Sequence, residues 1–114
     1  MLIRNGEKVH VMYRTLHENG NRRHFLGEVM ACEGALCRLE GYEFLYAPKK
    51  GVFVKKPERR ATLMNLADSG YVVNLIDADI DLVSVDYHYE EGIGLVATDG
   101  EHFSLNINEF GAHG

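Results

Sequence analysis

Apolar and polar residues alternate with a period of two along most of this chain, and short Gly-containing turns interrupt the alternation. Such a pattern predicts strands with one face buried and the other solvated. From Lys8 to Leu16, Val9, Val11, Tyr13 and Thr15 fall on one face, and His10, Met12, Arg14 and Leu16 on the other. Asn19-Gly20 follows, the pair that best tolerates the two positive φ angles of a type I′ hairpin turn. A second strand is predicted from His24 to Cys32, with Phe25, Gly27, Val29 and Ala31 on one face. A glycine inside a strand marks a bend or a close approach of backbone, so Gly27 is the expected kink. Glu33-Gly34 then predicts a tight turn into a strand from Ala35 to Glu40.

Gly41 breaks the pattern, after which Tyr42, Phe44 and Tyr46 alternate, Pro48-Lys49-Lys50-Gly51 reads as a loop and Val52 to Lys55 returns. Residues 42–56 are therefore expected to form an inserted hairpin. From Pro57 to Asp68 two readings compete. Pro57 at a first helical position, with Leu63, Leu66 and Ala67 at helical spacing, suits a short helix. The apolar run Val72 to Ile76 needs a partner strand, however, and a strand from Thr62 to Ala67 supplies one; we adopt it. Leu82, Val83, Val85, Tyr87 and Tyr89 suggest a further strand. The last hairpin runs from Gly94 to Thr98, turns at Asp99-Gly100 and returns from His102 to Ile107. Eight or nine short strands with little helix and no linker, in 114 residues, predict one all-β domain over residues 1–114. A small antiparallel barrel or a sandwich is the expected architecture.

Composition narrows the class without naming a function. With 46% hydrophobic and 25% charged residues, the chain is neither a disordered tail nor a disulfide scaffold. No apolar run reaches the length of a membrane span, and the first residues lack the apolar stretch of a signal peptide. The expected compartment is the cytoplasm, where thiols stay reduced. Cys32 and Cys37 are accordingly read as two half-buried thiols rather than a disulfide or a ligand pair. The charge is unevenly spread. All twelve Lys and Arg lie between Arg4 and Arg60, giving residues 1–60 a net +5, while residues 61–114 carry −10.

Two stretches carry a family resemblance. Arg23-His-Phe-Leu-Gly27-Glu-Val-Met-Ala31, with Leu36-Cys-Arg-Leu-Glu40 after a turn, resembles the first motif of the Sm family, a bent strand with a central glycine paired to the next strand. Asp68-Ser-Gly70-Tyr-Val-Val-Asn-Leu-Ile76 resembles the second, a turn glycine followed by a short apolar strand. The resemblance covers about residues 8–76 and implies a strongly bent Sm-like or SH3-like barrel, with the hairpin at 42–56 inserted and a β extension at the C-terminus. It also implies subunits joined edge strand to edge strand. Departures are plain: the loop around Glu33-Gly34-Ala35 lacks the Asp-x-x-Met-Asn signature that holds uridine in that family, and Ser69 stands where an Arg precedes the second-motif glycine.

Motifs that announce catalysis or phosphate binding are absent from the sequence. Six histidines are scattered without ligand spacing. Asp77-Ala-Asp79-Ile-Asp81 alternates acids as a calcium loop does, but it lacks the glycine at loop position six and has His88 where the closing Glu belongs. It reads as a solvated acidic connection. The chain is therefore read as non-catalytic, with no cofactor and no metal. The most suggestive cluster is basic: Lys49, Lys50, Lys55, Lys56, Arg59 and Arg60, with Tyr46 and Phe53 beside Tyr42 and Phe44. Cations neutralise phosphates while aromatic faces stack bases, a mixture suited to single-stranded RNA. The acidic half of so small a domain works against that use. The same asymmetry suits self-association, a basic edge on one copy meeting an acidic edge on the next. A non-catalytic binding or assembly module is the leading expectation, single-stranded RNA binding the alternative, and a small-molecule ligand domain or enzyme the third.

Overall fold

A computed structural model of the chain describes residues 2–13, 23–68 and 70–107. The described residues form nine strands: β1 (Lys8–Tyr13), β2 (Arg23–Glu33), β3 (Leu36–Ala47), β4 (Val52–Lys55), β5 (Arg60–Asn65), β6 (Tyr71–Ile76), β7 (Asp86–Glu90), β8 (Gly94–Thr98) and β9 (Ser104–Asn106). The predicted turn at Asn19-Gly20, residues 14–16 of the first predicted strand and Ser69 lie outside the described residues. No helix among the described residues is long and apolar enough to cross a membrane. Although no linker marks a boundary, the residues group into two compact units, Met1–Asp79 and Ile80–Gly114.

The first unit is one antiparallel sheet in the order β4-β3-β2-β1-β6, with β5 also paired to β3. Strand β3 organises it. One edge of β3 pairs with the whole of β2; the other is shared between β5, opposite Leu36 to Gly41, and β4, opposite Phe44 to Ala47. The expected break at Gly41 is thus a continuation, because Gly41 faces Gly27 across the ladder. With no Cβ on either residue the backbones approach closely, so that a Cβ on Gly41 would fall on the carbonyl oxygen of Leu26. The hairpin foreseen at 42–56 is the far half of β3 returning through β4. The strand expected from Thr62 to Ala67 is β5, at Arg60–Asn65, and it pairs with β3 rather than with Val72 to Ile76.

Period-two alternation gives the sheet two faces. Val9 and Val11 of β1, Phe25 and Val29 of β2, and Cys37 and Leu39 of β3 form the buried cluster of the inner face, and Met64, Leu66, Tyr71 and Val73 pack against it. On the opposite face His10, Met12, His24, Leu26, Tyr42 and Phe44 are buried as well. Burial on both faces makes β1 to β3 the centre of the unit.

The closed barrel expected from the sequence is not formed. Strand β5 bonds to β3 and β6 to β1, but no ladder joins β5 to β6. Their connection is too long for a two-residue hairpin turn, and it uses its own hydrogen bonds, Asp68 N to Asn65 O and Tyr71 N to Asp68 O. The two strands are nevertheless consecutive, so the sheet curls enough for a few residues to pass from one of its edges to the other.

The cysteine expectation is also corrected. The turn between β2 and β3 is Gly34-Ala35, with Gly34 at φ +59°, the glycine-first arrangement of a tight hairpin. Glu33 then faces Leu36, and Cys32 faces Cys37 across the ladder, where the two are joined as a disulfide. A bond closing so short a loop stabilises by roughly 2 kcal/mol through the entropy of the unfolded chain. Chemical denaturation with and without a phosphine reductant should differ by about that amount; coincident curves would show that the bond contributes nothing to stability.

The second unit is a meander, β7-β8-β9, with Ile80, Leu82, Val85, Val96, Ala97 and Ile107 buried. Leu82 and Val83, expected to open a strand, form a 3-10 turn over Leu82–Ser84 instead. Asp81 explains it: its carboxylate accepts from the backbone N–H of Val83 and from the Ser84 hydroxyl, capping the turn.

Candidate functional site

Two places on the first unit gather groups with chemistry to offer: the basic hairpin foreseen from the sequence, and a cleft on the inner face that was not foreseen.

The basic hairpin divides. Lys49 and Lys50 sit exposed on the β3–β4 turn, and Lys56 is exposed just after β4. The other three cations turn to partners within the chain. The Lys55 ammonium lies 4.7 Å from the Tyr42 ring centre and 5.7 Å from that of Phe44. Arg59 reaches Glu40 at 3.9 Å and Arg60 reaches Glu43 at 3.5 Å. Of the aromatic residues, Tyr42 and Phe44 are buried. Phe53 stacks on His24 with ring centres 4.5 Å apart, and Tyr46 meets Phe53 edge-on. The cations and rings are therefore contiguous, as expected, but one ring face of Phe53 and the rings of Tyr42 and Phe44 serve the packing of the sheet.

The cleft lies where the inner face changes character. Its apolar residues continue, at the same period of two, into polar ones: Tyr13 two residues beyond Val11, Arg23 two before Phe25, and Glu43 directly opposite Phe25. Strand β5 adds Thr62, opposite Leu39, and β6 adds Tyr71, opposite Tyr13. These side chains surround a cavity of about 220 Å³ whose lining also includes Val11, Phe25 and Met64. It lies at the seam between β5 and β6, which no ladder joins.

Its electrostatics favour donors. The Tyr13 and Tyr71 rings meet edge-on at 5.5 Å. Burial, then the Asp68 carboxylate, then Tyr13 push the Tyr71 phenol above its ordinary range, with Arg23 opposing. Tyr71 thus keeps its proton at neutral pH. The Glu43 carboxylate is balanced by Arg60, whereas Arg23 has no acidic partner among the described residues. Single-residue reasoning missed this group because nothing links Tyr13, Glu43 and Thr62 locally. The available signal was the inner-face periodicity itself, which runs on from apolar to polar residues.

Elsewhere the polar side chains serve the backbone. Asp77 accepts from the N–H of Asp79, so the acidic connection is built of short carboxylate-capped turns. Asp99 accepts from the N–H groups of Glu101, His102 and Phe103, each at 2.9 Å, which holds its carboxyl below the usual range. The Gly92-Ile93-Gly94 stretch is the β7–β8 bend, with both glycines at positive φ. Among the described residues no group of three or more His, Cys, Asp or Glu is arranged to hold a metal ion. Comparison with protein-family models, with curated proteins and with solved structures returns no match.

Proposed function

We propose that this chain is a non-catalytic assembly module of Sm-like type, in which copies join through the edges of their sheets. The observation that carries the reading is the open seam: β5 and β6 each bond to one neighbour only among the described residues. An unpaired edge presents a row of N–H and C=O groups ready to template another strand. Both edges carry exposed apolar residues, Leu63 at 62% and Leu75 at 57%. Their flanking charges are complementary. Arg59 and Arg60 stand at the start of β5, and Asp77 and Asp79 follow the end of β6. Antiparallel pairing of β5 with β6 of a second copy sets the basic start of one against the acidic end of the other. The present contact of Arg59 with Glu40 is an exposed surface pair, which contributes little and exchanges readily. The bent β2–β3 pair at residues resembling the first Sm motif, and β6 at those resembling the second, support the same reading.

Light scattering during gel filtration tests it. The wild-type chain at micromolar concentration should elute as a multiple of the monomer mass, and Leu63→Lys with Leu75→Lys should return it to the monomer by placing like charges on both edges. A wild-type monomer in both low and moderate salt would overturn the proposal.

A further inference from the structure

We propose that the inner-face cleft is a binding site for a small monocarboxylate with an aromatic or branched apolar body. The inference does not rest on the assembly reading. Its dimensions set the size class: an apolar cavity of about 150 Å³ holds benzene, so about 220 Å³ accommodates a six-membered ring bearing one polar substituent. Its lining sets the polarity. Val11, Phe25 and Met64 are the apolar part of a lining that is otherwise polar, and an apolar contact surface with placed polar groups is the usual form of a small-molecule site.

The charge of the ligand follows from the rim. Arg23 offers a planar fork of N–H donors, the geometry that matches a carboxylate with two parallel hydrogen bonds. Thr62 adds a hydroxyl, and the phenols of Tyr13 and Tyr71 add two more. Among the described residues Glu43 is the one acid lining the cleft, and Arg60 stands 3.5 Å from it. Glu43 and Arg60 offset each other, and the Asp68 carboxylate acts on Tyr71 from beside the cleft, so Arg23 is the group that selects a carboxylate. A cationic ligand would have to displace Arg60 from Glu43 and would meet Arg23 unshielded. A neutral isostere would meet the same apolar surface but would lose the charge-assisted bonds, which are about twice as strong as neutral ones.

Benzoate is the probe, with benzamide as its neutral isostere and benzamidinium as its cationic one. Each is titrated into the full-length wild-type chain carrying 13C-methyl methionine, and the Met64 methyl resonance is followed. Benzoate should shift Met64 saturably, benzamide should bind about tenfold more weakly or worse, and benzamidinium should give no saturable shift. A tenfold difference corresponds to about 1.4 kcal/mol, within the range for one charge-assisted hydrogen bond. Arg23→Gln should weaken benzoate by about tenfold while leaving benzamide as it was; because the Arg23 side chain is exposed, the variant should keep the wild-type circular dichroism. Thr62→Val gives a second, smaller loss. Equal affinities for benzoate and benzamide, indifference of benzoate binding to Arg23→Gln, or an unmoved Met64 at saturating benzoate would each overturn the proposal. Repeating the titration on Leu75→Lys separates the two proposals: Leu75 lies outside the cleft, so binding should persist whether or not copies assemble.

Discussion

Gly41→Ala should be among the most damaging single substitutions in this chain, removing roughly 3–5 kcal/mol of stability, at the far end of what point mutations do. A Cβ at that position would fall on the carbonyl oxygen of Leu26 and 2.6 Å from the Cα of Gly27. Both are backbone atoms of β2, so neither can step aside as a flexible side chain would. The strands would have to separate where β2 and β3 lie closest. Gly27→Ala is the comparison: its Cβ meets the edge of the Phe25 ring at 2.6 Å and a carbonyl oxygen at 3.1 Å. A ring can rotate in part, so the cost should be smaller, about 1–3 kcal/mol as for overpacked cores. Gly34→Ala, with open space around it but φ at +59°, should cost about 1 kcal/mol. Urea denaturation followed by circular dichroism orders the three. Gly41→Ala within 1 kcal/mol of wild type would mean that the close approach of β2 and β3 does not depend on the facing glycines.

Acid should unfold the protein through His10. Its side chain is fully buried on the outer face, and its ring meets that of His24 edge-on at 5.5 Å. Burial, and secondarily the charge of His24, lower its pKa from 6.5 to about 3. The folded state therefore holds His10 neutral where the unfolded state protonates it. The unfolded chain binds the extra proton between those two values, so stability is complete above pH 6.5 and is lost as pH falls toward 3. Across the whole window the loss is on the order of 5 kcal/mol, from about 1.4 kcal/mol per pH unit. His10→Gln keeps a polar group of similar length that does not titrate. Measured against wild type at pH 7 and at pH 4, the variant should be relatively more stable at the lower pH. Parallel pH profiles for the two proteins would assign acid sensitivity to other groups.

Local chemistry made most of the strands legible before any long-range contact was known. Alternation around Val9, Phe25 and Leu39 marks the inner face, and the Asp99-Gly100 turn marks the last hairpin. The disulfide was missed because the thiols were read from an expected reducing compartment, and a turn placed one residue early offered no pairing to set against that. With the turn at Glu33-Gly34, Cys32 faces Ala35; with the turn at Gly34-Ala35, it faces Cys37. Leu82 and Val83 looked like strand residues because hydrophobicity outweighed the capping signal of Asp81. The open seam was not legible, since closure depends on how far the whole sheet curls rather than on any segment's pattern. Neither was the cleft, whose members come from five strands. The basic cluster was legible as a cluster, but nothing in its spacing distinguished Lys55, which lies against Tyr42, from Lys49 and Lys50, which face solvent.

Strand β3 holds β2 along one edge and divides the other between β5 and β4. One register therefore governs three partners. Inserting or deleting a single residue between Leu36 and Ala47 would turn part of the strand over, exchanging the faces of Leu39 and Glu40 or of Phe44 and Leu45 against every neighbour. The Pro48–Gly51 turn and residues 56–59 join the same strands without fixing that register, and length can vary there at the slow logarithmic cost of a longer loop. In a lineage of such chains, changes in length should collect on either side of β4 and spare the twelve residues of β3.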